Sequence, residues 1–297
     1  MTGGRFYNPP MLLVADKLTK HYGPAVALDA LDLTLAPGEV VGLLGPNGSG
    51  KTTSLRLFLG FLQATSGTAT LGGFDCWTQS VQARRLVTYL PGELRLYDTM
   101  TGRQIVTFLG DLRGEKFGTE VDALAKKLDI NPDTPLTRMS SGMKRKVALL
   151  AVLLPRVPLV ILDEPTNTLD PTMRDEFLEQ IKQAKAAGKA ILFSSHVLSE
   201  VEAVCDRVII LRKGKLVHHQ VMSELTAFRR VSVKVHGTPP ASGPDGEAVR
   251  RDGDRVRFDY AGELPRLMAW LTNQHLEDVT IEPQGLGAIY RRYHAGG

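Results

Sequence analysis

Short apolar runs and longer amphipathic stretches alternate along the first 220 or so residues. Val40 to Leu44 is continuously apolar and of strand length, which predicts a strand buried on both faces. Leu159 to Leu162 and Ala190 to Phe193 read the same way, and Val208 to Leu211 predicts a further strand. Met11 to Ala15 and Leu31 to Leu35 are short apolar segments that end near turn residues, and they also predict strands. Lys51 to Leu59 has helical spacing, with Leu55, Phe58 and Leu59 on one side. Gly102 to Leu112, Glu120 to Leu128 and Gly142 to Leu154 predict three successive helices. A helical subdomain inserted over about residues 95–155 is the simplest account of them. Met173 to Ala187 predicts an amphipathic helix closed by Gly188, and Val197 to Cys205 a shorter one. Lys213-Gly214 then turns the chain into Leu216 to His219. Strands alternating with helices predict an α/β domain over residues 11–225.

The texture changes after about residue 225. Val231 to Val235 and Val256 to Tyr260 alternate like half-buried strands, and Gly237 to Gly246 is a Gly-, Pro- and Ser-rich loop. Leu264 to Thr272 predicts a helix and Val279 to Ile281 a strand. Residues 226–297 therefore read as a small C-terminal α+β domain.

Composition narrows the function classes. The 297 residues are 43% hydrophobic and 23% charged, with 29 Gly and 17 Pro, which fits a globular chain and excludes a disordered or collagen-like one. The net charge is +4, and the basic residues are scattered among acids, so no nucleic-acid partner is expected. Cys76 and Cys205 stand far apart and outside any CxxC pattern, which suits a reducing compartment. Met1 to Pro10 does not read as a secretory signal. The richest apolar run, Val147 to Leu162, is interrupted by Pro155, Arg156 and Pro158 and falls short of the roughly 20 residues of a membrane span.

Two motifs carry chemistry. Gly45-Pro46-Asn47-Gly48-Ser49-Gly50-Lys51-Thr52 fits G-x-x-x-x-G-K-[ST], between a predicted strand and a predicted helix. Its glycines let backbone N–H groups curl around phosphate oxygens, and the helix start faces the same anion. Lys51 is expected to reach the β- and γ-phosphates of ATP, and the Thr52 hydroxyl to ligate Mg²⁺; Thr53 follows in the same turn. Leu159 to Leu162 then ends in Asp163-Glu164. Asp163 is expected to hold the Mg²⁺ shell, and Glu164 to orient or deprotonate the attacking water.

With these motifs the chain resembles an ABC-type ATPase, the nucleotide-binding subunit of an ATP-binding-cassette transporter, over roughly residues 11–220. The resemblance implies a P-loop NTPase fold with an inserted helical subdomain. Met139-Ser140-Ser141-Gly142-Met143 resembles the family signature LSGGQ, with Met143 where Gln is usual. In the family that motif closes on ATP held by the opposing subunit, which gives Ser140, Ser141 and Gly142 a nucleotide-binding role. Tyr22 sits where the family stacks an aromatic on adenine. Asn167-Thr168-Leu169-Asp170 resembles the loop that communicates across the dimer, and Ser194-Ser195-His196 the switch histidine that contacts the γ-phosphate. One departure matters: Pro91-Gly92-Glu93 stands where the family usually has Pro-Gln, which leaves either Glu93 approaching the metal through water or the loop working through its backbone.

The signature, this loop and the C-terminal domain look most like multidrug or antibiotic-resistance exporters, which pair the ATPase with a separate membrane permease. That implies a peripheral protein on the cytoplasmic face of the membrane, closing head-to-tail around two ATP molecules, with a homodimer favoured. Thr101 to Leu128 would border the groove that receives the permease. The tail, Gly285 to His294 with Tyr290 and Tyr293, resembles that of the same group and implies a regulatory or dimer-supporting role, against a merely stabilising one. An importer ATPase, a soluble ATPase acting on nucleic acid or ribosomes, and a non-catalytic cassette are the alternatives.

Overall fold

The computed structural model describes residues 11–167, 169–227, 229–237, 239–283 and 285–294. Residues 1–10, on which the absence of a secretory signal was expected, and Thr168 lie outside the described residues. The chain divides into two compact units, residues 1–219 and 220–297.

The first unit opens with strands β1 (Leu13–Tyr22), β2 (Ala25–Leu35) and β3 (Val40–Leu44), then helix α1 (Lys51–Phe58). Strands β4 (Ser66–Leu71) and β5 (Phe74–Asp75), helix α2 (Ser80–Arg85) and strand β6 (Val87–Leu90) follow. Three helices come next: α3 (Gly102–Arg113), α4 (Thr119–Lys127) and α5 (Ser141–Leu153). The unit then alternates through β7 (Leu159–Asp163), α6 (Pro171–Ala186), β8 (Ala190–Ser195), α7 (Leu198–Val204), β9 (Arg207–Arg212) and β10 (Lys215–Val221).

Two sheets share one core. The larger has the order β10-β9-β3-β8-β7-β6, and the smaller is the antiparallel sheet β2-β1-β4-β5. Every residue of β3, β7 and β8 is buried, as expected for strands covered on both faces. Those strands run parallel, and their register decides where the chemistry lies. Leu44 pairs with Ser195, Asp163 with Ser194, and Leu90 with Leu162. The segments beginning at Gly45, Glu164, His196 and Pro91 therefore all leave the sheet at one edge, the carboxyl end where α/β sheets bind ligands. The apolar face of α1, Leu55, Leu57 and Phe58, packs into the core between the sheets. A separate small core of Ile105, Leu136, Met139 and Val147 joins α3, α5 and the segment that leads into α5. Thr101 starts α3 with a complete capping box to Gln104.

In the second unit, helix α8 (Met222–Ala227) precedes strand β11 (Arg229–Val235). Strands β12 (Arg250–Asp252) and β13 (Arg255–Tyr260), helix α9 (Leu264–Thr272), strand β14 (Leu276–Pro283) and helix α10 (Leu286–His294) complete it. Its sheet has the order β12-β13-β11-β14, and alternate residues of β11 and β13 pack on Leu267 and Leu271 of α9.

Buried strands fall within a residue or two of their expected positions. The half-exposed ones differ. β1 extends seven residues beyond Ala15, to Tyr22, because register shifts around Lys17 and Thr19 break its alternation. β4 (sequence SGTATL) and β12 (all exposed) carry too little apolar signal to announce a strand.

Candidate functional site

The loop between β3 and α1 lines a cavity of about 260 Å³ with Ala27, Asn47, Gly48, Ser49, Gly50, Lys51, Thr52, Thr53 and Glu164. Gly50 is the N-cap of α1, with φ +107 and no side chain to cap the helix. A Cβ there would lie 2.8 Å from the Ala27 carbonyl oxygen, so both the backbone angle and the space require glycine. The first amides of α1 have no partner in their own helix and are left for a ligand. Ser49 Oγ, buried in the same loop, has no hydrogen-bond partner among the described residues.

Lys51 is only 5% exposed. Its ammonium donates to the carbonyls of Gly45 (2.7 Å) and Pro46 (3.2 Å) and lies 3.2 Å from Glu164 Oε1. The side chain thus curls back over its own loop with its charge above the glycine turn.

Asp163 closes β7 and is buried. Ser194 Oγ donates to its Oδ1 at 2.6 Å, and Thr52 Oγ1 to its Oδ2 at 3.2 Å. The Tyr89 hydroxyl reaches Oδ2 at 3.5 Å. Burial, with Asp163 nearby, pushes the Tyr89 phenol up to about 12, so it stays a donor. A hydroxyl and a carboxylate at one point, beside a phosphate-sized cradle, suit Mg²⁺, which takes one or two protein oxygens and completes its shell with phosphate and water. Among the described residues no cluster of three His, Cys, Asp or Glu could hold a metal by itself. The donor set therefore fits a metal that arrives with a phosphate ligand.

Glu164 follows Asp163 in a left-handed backbone conformation, φ +43. Its N–H donates to Ser194 Oγ at 2.9 Å and to the Ser194 carbonyl at 3.1 Å, so β8 holds the turn. The carboxylate meets Lys51 on one oxygen and the Asn167 amide (2.5 Å) on the other. His196 Nδ1 lies 3.5 Å from that second oxygen, with its ring 47% exposed. Burial raises the Glu164 pKa, but the Asn167 hydrogen bond, Lys51 and His196 outweigh it and hold the carboxyl below its ordinary value. Glu164 is therefore a carboxylate at neutral pH, able to accept a proton or orient water.

Not every expected site residue joins this cluster. Glu93 does line a second cavity of about 520 Å³ with Thr52, Asp163 and Glu164. Tyr22 lines neither cavity; it is 49% exposed, with the Lys20 ammonium 5.3 Å over its ring. Ser140, Ser141 and Gly142 are also outside both cavities, at the start of α5. Ser140 caps that helix by accepting from the Met143 N–H at 3.2 Å. Asp170 caps α6 in the same way, accepting from the Met173 N–H at 2.9 Å.

Tyr89 on Asp163 and Arg145 behind both acids were missed from the sequence, and Ser194 and Asn167 were named only as motif members, without their bonds to Asp163 and Glu164. Ser194 had a signal, a hydroxyl closing an otherwise apolar buried run. Arg145 had none, because a basic residue near a helix start reads as solvated surface.

A family model described as ABC transporter matches residues 28–167. The linearmycin resistance ATP-binding protein LnrL of Bacillus subtilis is 32% identical over 211 residues, covering 69% of this chain and 68% of that protein. The Nod factor export ATP-binding protein I of Paraburkholderia xenovorans is 34% identical over 224 residues, 74% of each chain. A solved structure of an ATP-binding subunit of an ABC transporter matches with a TM-score of 0.66 at 27% identity, over 72% of this chain and 91% of that one.

Proposed function

Because the chain belongs to the family of ABC transporter ATP-binding proteins, we propose that it hydrolyses ATP to power a separate membrane permease that exports drugs or other hydrophobic compounds. The observation that carries this reading is the convergence of Lys51, Asp163, Glu164 and His196 at one edge of the parallel sheet. Lys51 and the α1 amides neutralise the triphosphate. Thr52 and Asp163 would hold Mg²⁺, which spreads the charge of the β- and γ-phosphates. Glu164 takes the proton of the attacking water, and His196 steadies the carboxylate opposite Lys51.

The site is half-built in one chain. Ser140 to Gly142 lie away from the cavities of the loop, so a second copy, arranged head-to-tail, would bring its own helix start to the γ-phosphate. A two-fold dimer with two identical sites follows from one complete set of motifs per chain. ATP held between the copies favours the closed state, and hydrolysis releases it.

Export is supported by the names of the resistance and export relatives. No helix among the described residues is long and apolar enough to cross a membrane; the permease on another chain and the peripheral place at the cytoplasmic face are part of this proposal. An exposed apolar patch supports docking: Tyr97 and Phe108 meet edge-to-face at 6.2 Å on the helical subdomain, with Leu112 of α3 exposed as well.

The test is a tagged Glu164→Gln copy recovered with ATP and Mg²⁺ from detergent-solubilised membranes, its companions identified by mass. A polytopic membrane protein in equal copy number is expected. Recovery with ribosomes or nucleic acid alone would overturn the transport reading.

A further inference from the structure

Arg145 sits on the second turn of α5, yet it is only 3% exposed. Its Nε donates to the Pro165 carbonyl at 2.8 Å. One terminal nitrogen donates to the carbonyls of Pro91 (2.9 Å) and Gly92 (3.0 Å). The other donates to the Glu164 carbonyl at 2.9 Å and reaches that of Asp163 at 3.4 Å. All of these acceptors are main-chain oxygens. Burying a charged fork against carbonyls is costly, so the arrangement persists only where the fit is close. A guanidinium fits best, with five N–H donors fixed in one plane, whereas an ammonium with three donors meets only part of the set.

The carbonyls belong to two loops. One follows β6 and, with Glu93, Leu94, Arg95 and Leu96, lines a cavity of about 650 Å³ that Arg145 itself borders. The other follows β7 and carries Glu164. Gly92 has no side chain to span them: a Cβ there would lie 3.5 Å from the Asp163 carbonyl oxygen, and nothing extends further. The peptide flanks of Glu164 are thus held from opposite sides, its N–H by Ser194 and its carbonyl by Arg145. Its left-handed φ of +43 makes the direction of its carboxylate depend on both.

We propose that Arg145 is a positioning residue for hydrolysis, passing the position of the loop at 91–93 to the backbone that aims Glu164. The side chain belongs to α5, whose first residues carry the signature, so one guanidinium ties three segments to the same carboxylate. The inference rests on the ATPase reading above.

The test compares the full chain with Arg145→Gln and Arg145→Lys. It reads ATP turnover and hydrogen exchange at residues 45–53 and 91–98, with and without a non-hydrolysable ATP analogue and Mg²⁺. A misplaced carboxylate lowers kcat in Arg145→Gln by about a hundredfold, while KM stays within about threefold because ground-state binding is untouched. The analogue still protects residues 45–53, but protection of 91–98 disappears, and Arg145→Lys restores part of both effects. Protection of 91–98 that survives in Arg145→Gln overturns the proposal, as does an Arg145→Lys protein that folds and is no better than Arg145→Gln. Should Arg145→Gln not fold, Arg145→Lys and the wild type decide: a wild-type loop at 91–98 that ignores the analogue also overturns it. Failure of the ATPase reading looks different, since the wild type would then show neither turnover nor protection at 45–53.

Discussion

Helices α1 and α5 both begin at small residues, and both starts carry a motif, yet they finish their first turns in opposite ways. At α1 the N-cap is Gly50, which has no side chain, so the amides of the first turn stay open toward the cavity that Lys51 and Glu164 line. At α5 the N-cap is Ser140, whose hydroxyl takes the Met143 amide, and Gly142 is packed so close to Met173 that a Cβ would come within 2.9 Å of its sulfur. The first start is an anion site complete in its own chain. At the second, one first-turn amide is taken by the helix's own cap and the remaining start is made of small residues, which suits contact with a ligand held elsewhere. A glycine thus serves at one start for backbone angle and at the other for close packing.

The contrast can be broken at graded strength. Glu164→Gln, beside the open start, is expected to lower ATP turnover by about a thousandfold while nucleotide binding survives. Phosphate release and fluorescent-nucleotide titration check the two halves separately. Gly50→Ala should cost about 2–3 kcal/mol through its left-handed angle and the contact with Ala27, together with most of the nucleotide affinity. Urea unfolding and the same titration measure both. Ser140→Ala removes only a cap, about 1 kcal/mol. Its unfolding midpoint should fall slightly, nucleotide affinity of the single chain should not change, and turnover should drop only where dimers form. Equal loss of single-chain affinity in Gly50→Ala and Ser140→Ala would erase the distinction between the two starts.

The smallest effect concerns pH. Glu164 has a depressed pKa in the folded chain, so its ion pairs add stability above its ordinary value of 4.5, and that stability is lost as pH falls through the lower, folded value. The stability gap between wild type and Glu164→Gln should therefore narrow only below about pH 4.5, as thermal melts across pH 3–7 would show. Narrowing already at pH 6 would mean that Lys51 and Asn167 do not hold the carboxylate as described.

Much of the site was legible because phosphate chemistry constrains spacing. Gly45 to Thr52 had to be contiguous to wrap an anion, and Asp163-Glu164 had to end a buried strand. The half-exposed strands were less legible. β1 mixes Asp16, Lys17 and Lys20 with Leu18, and its register shifts destroy any period of two. The caps of Ser140 and Asp170 on the Met143 and Met173 amides follow from their place just before helices.

The buried strands, the phosphate loop, the paired acids and the longer helices could be read from the chain alone, since each depends on residues close together in it, whereas the short helices α2 and α8 could not. Which side chains meet at one atom was set by the folding of distant segments together. Parallel register put Ser194 on Asp163, and set the loops of Pro91 and Glu164 side by side across 73 residues of chain. Arg145 could then grip both. That meeting is a property of sheet order and helix placement, and no local pattern of residues encodes it.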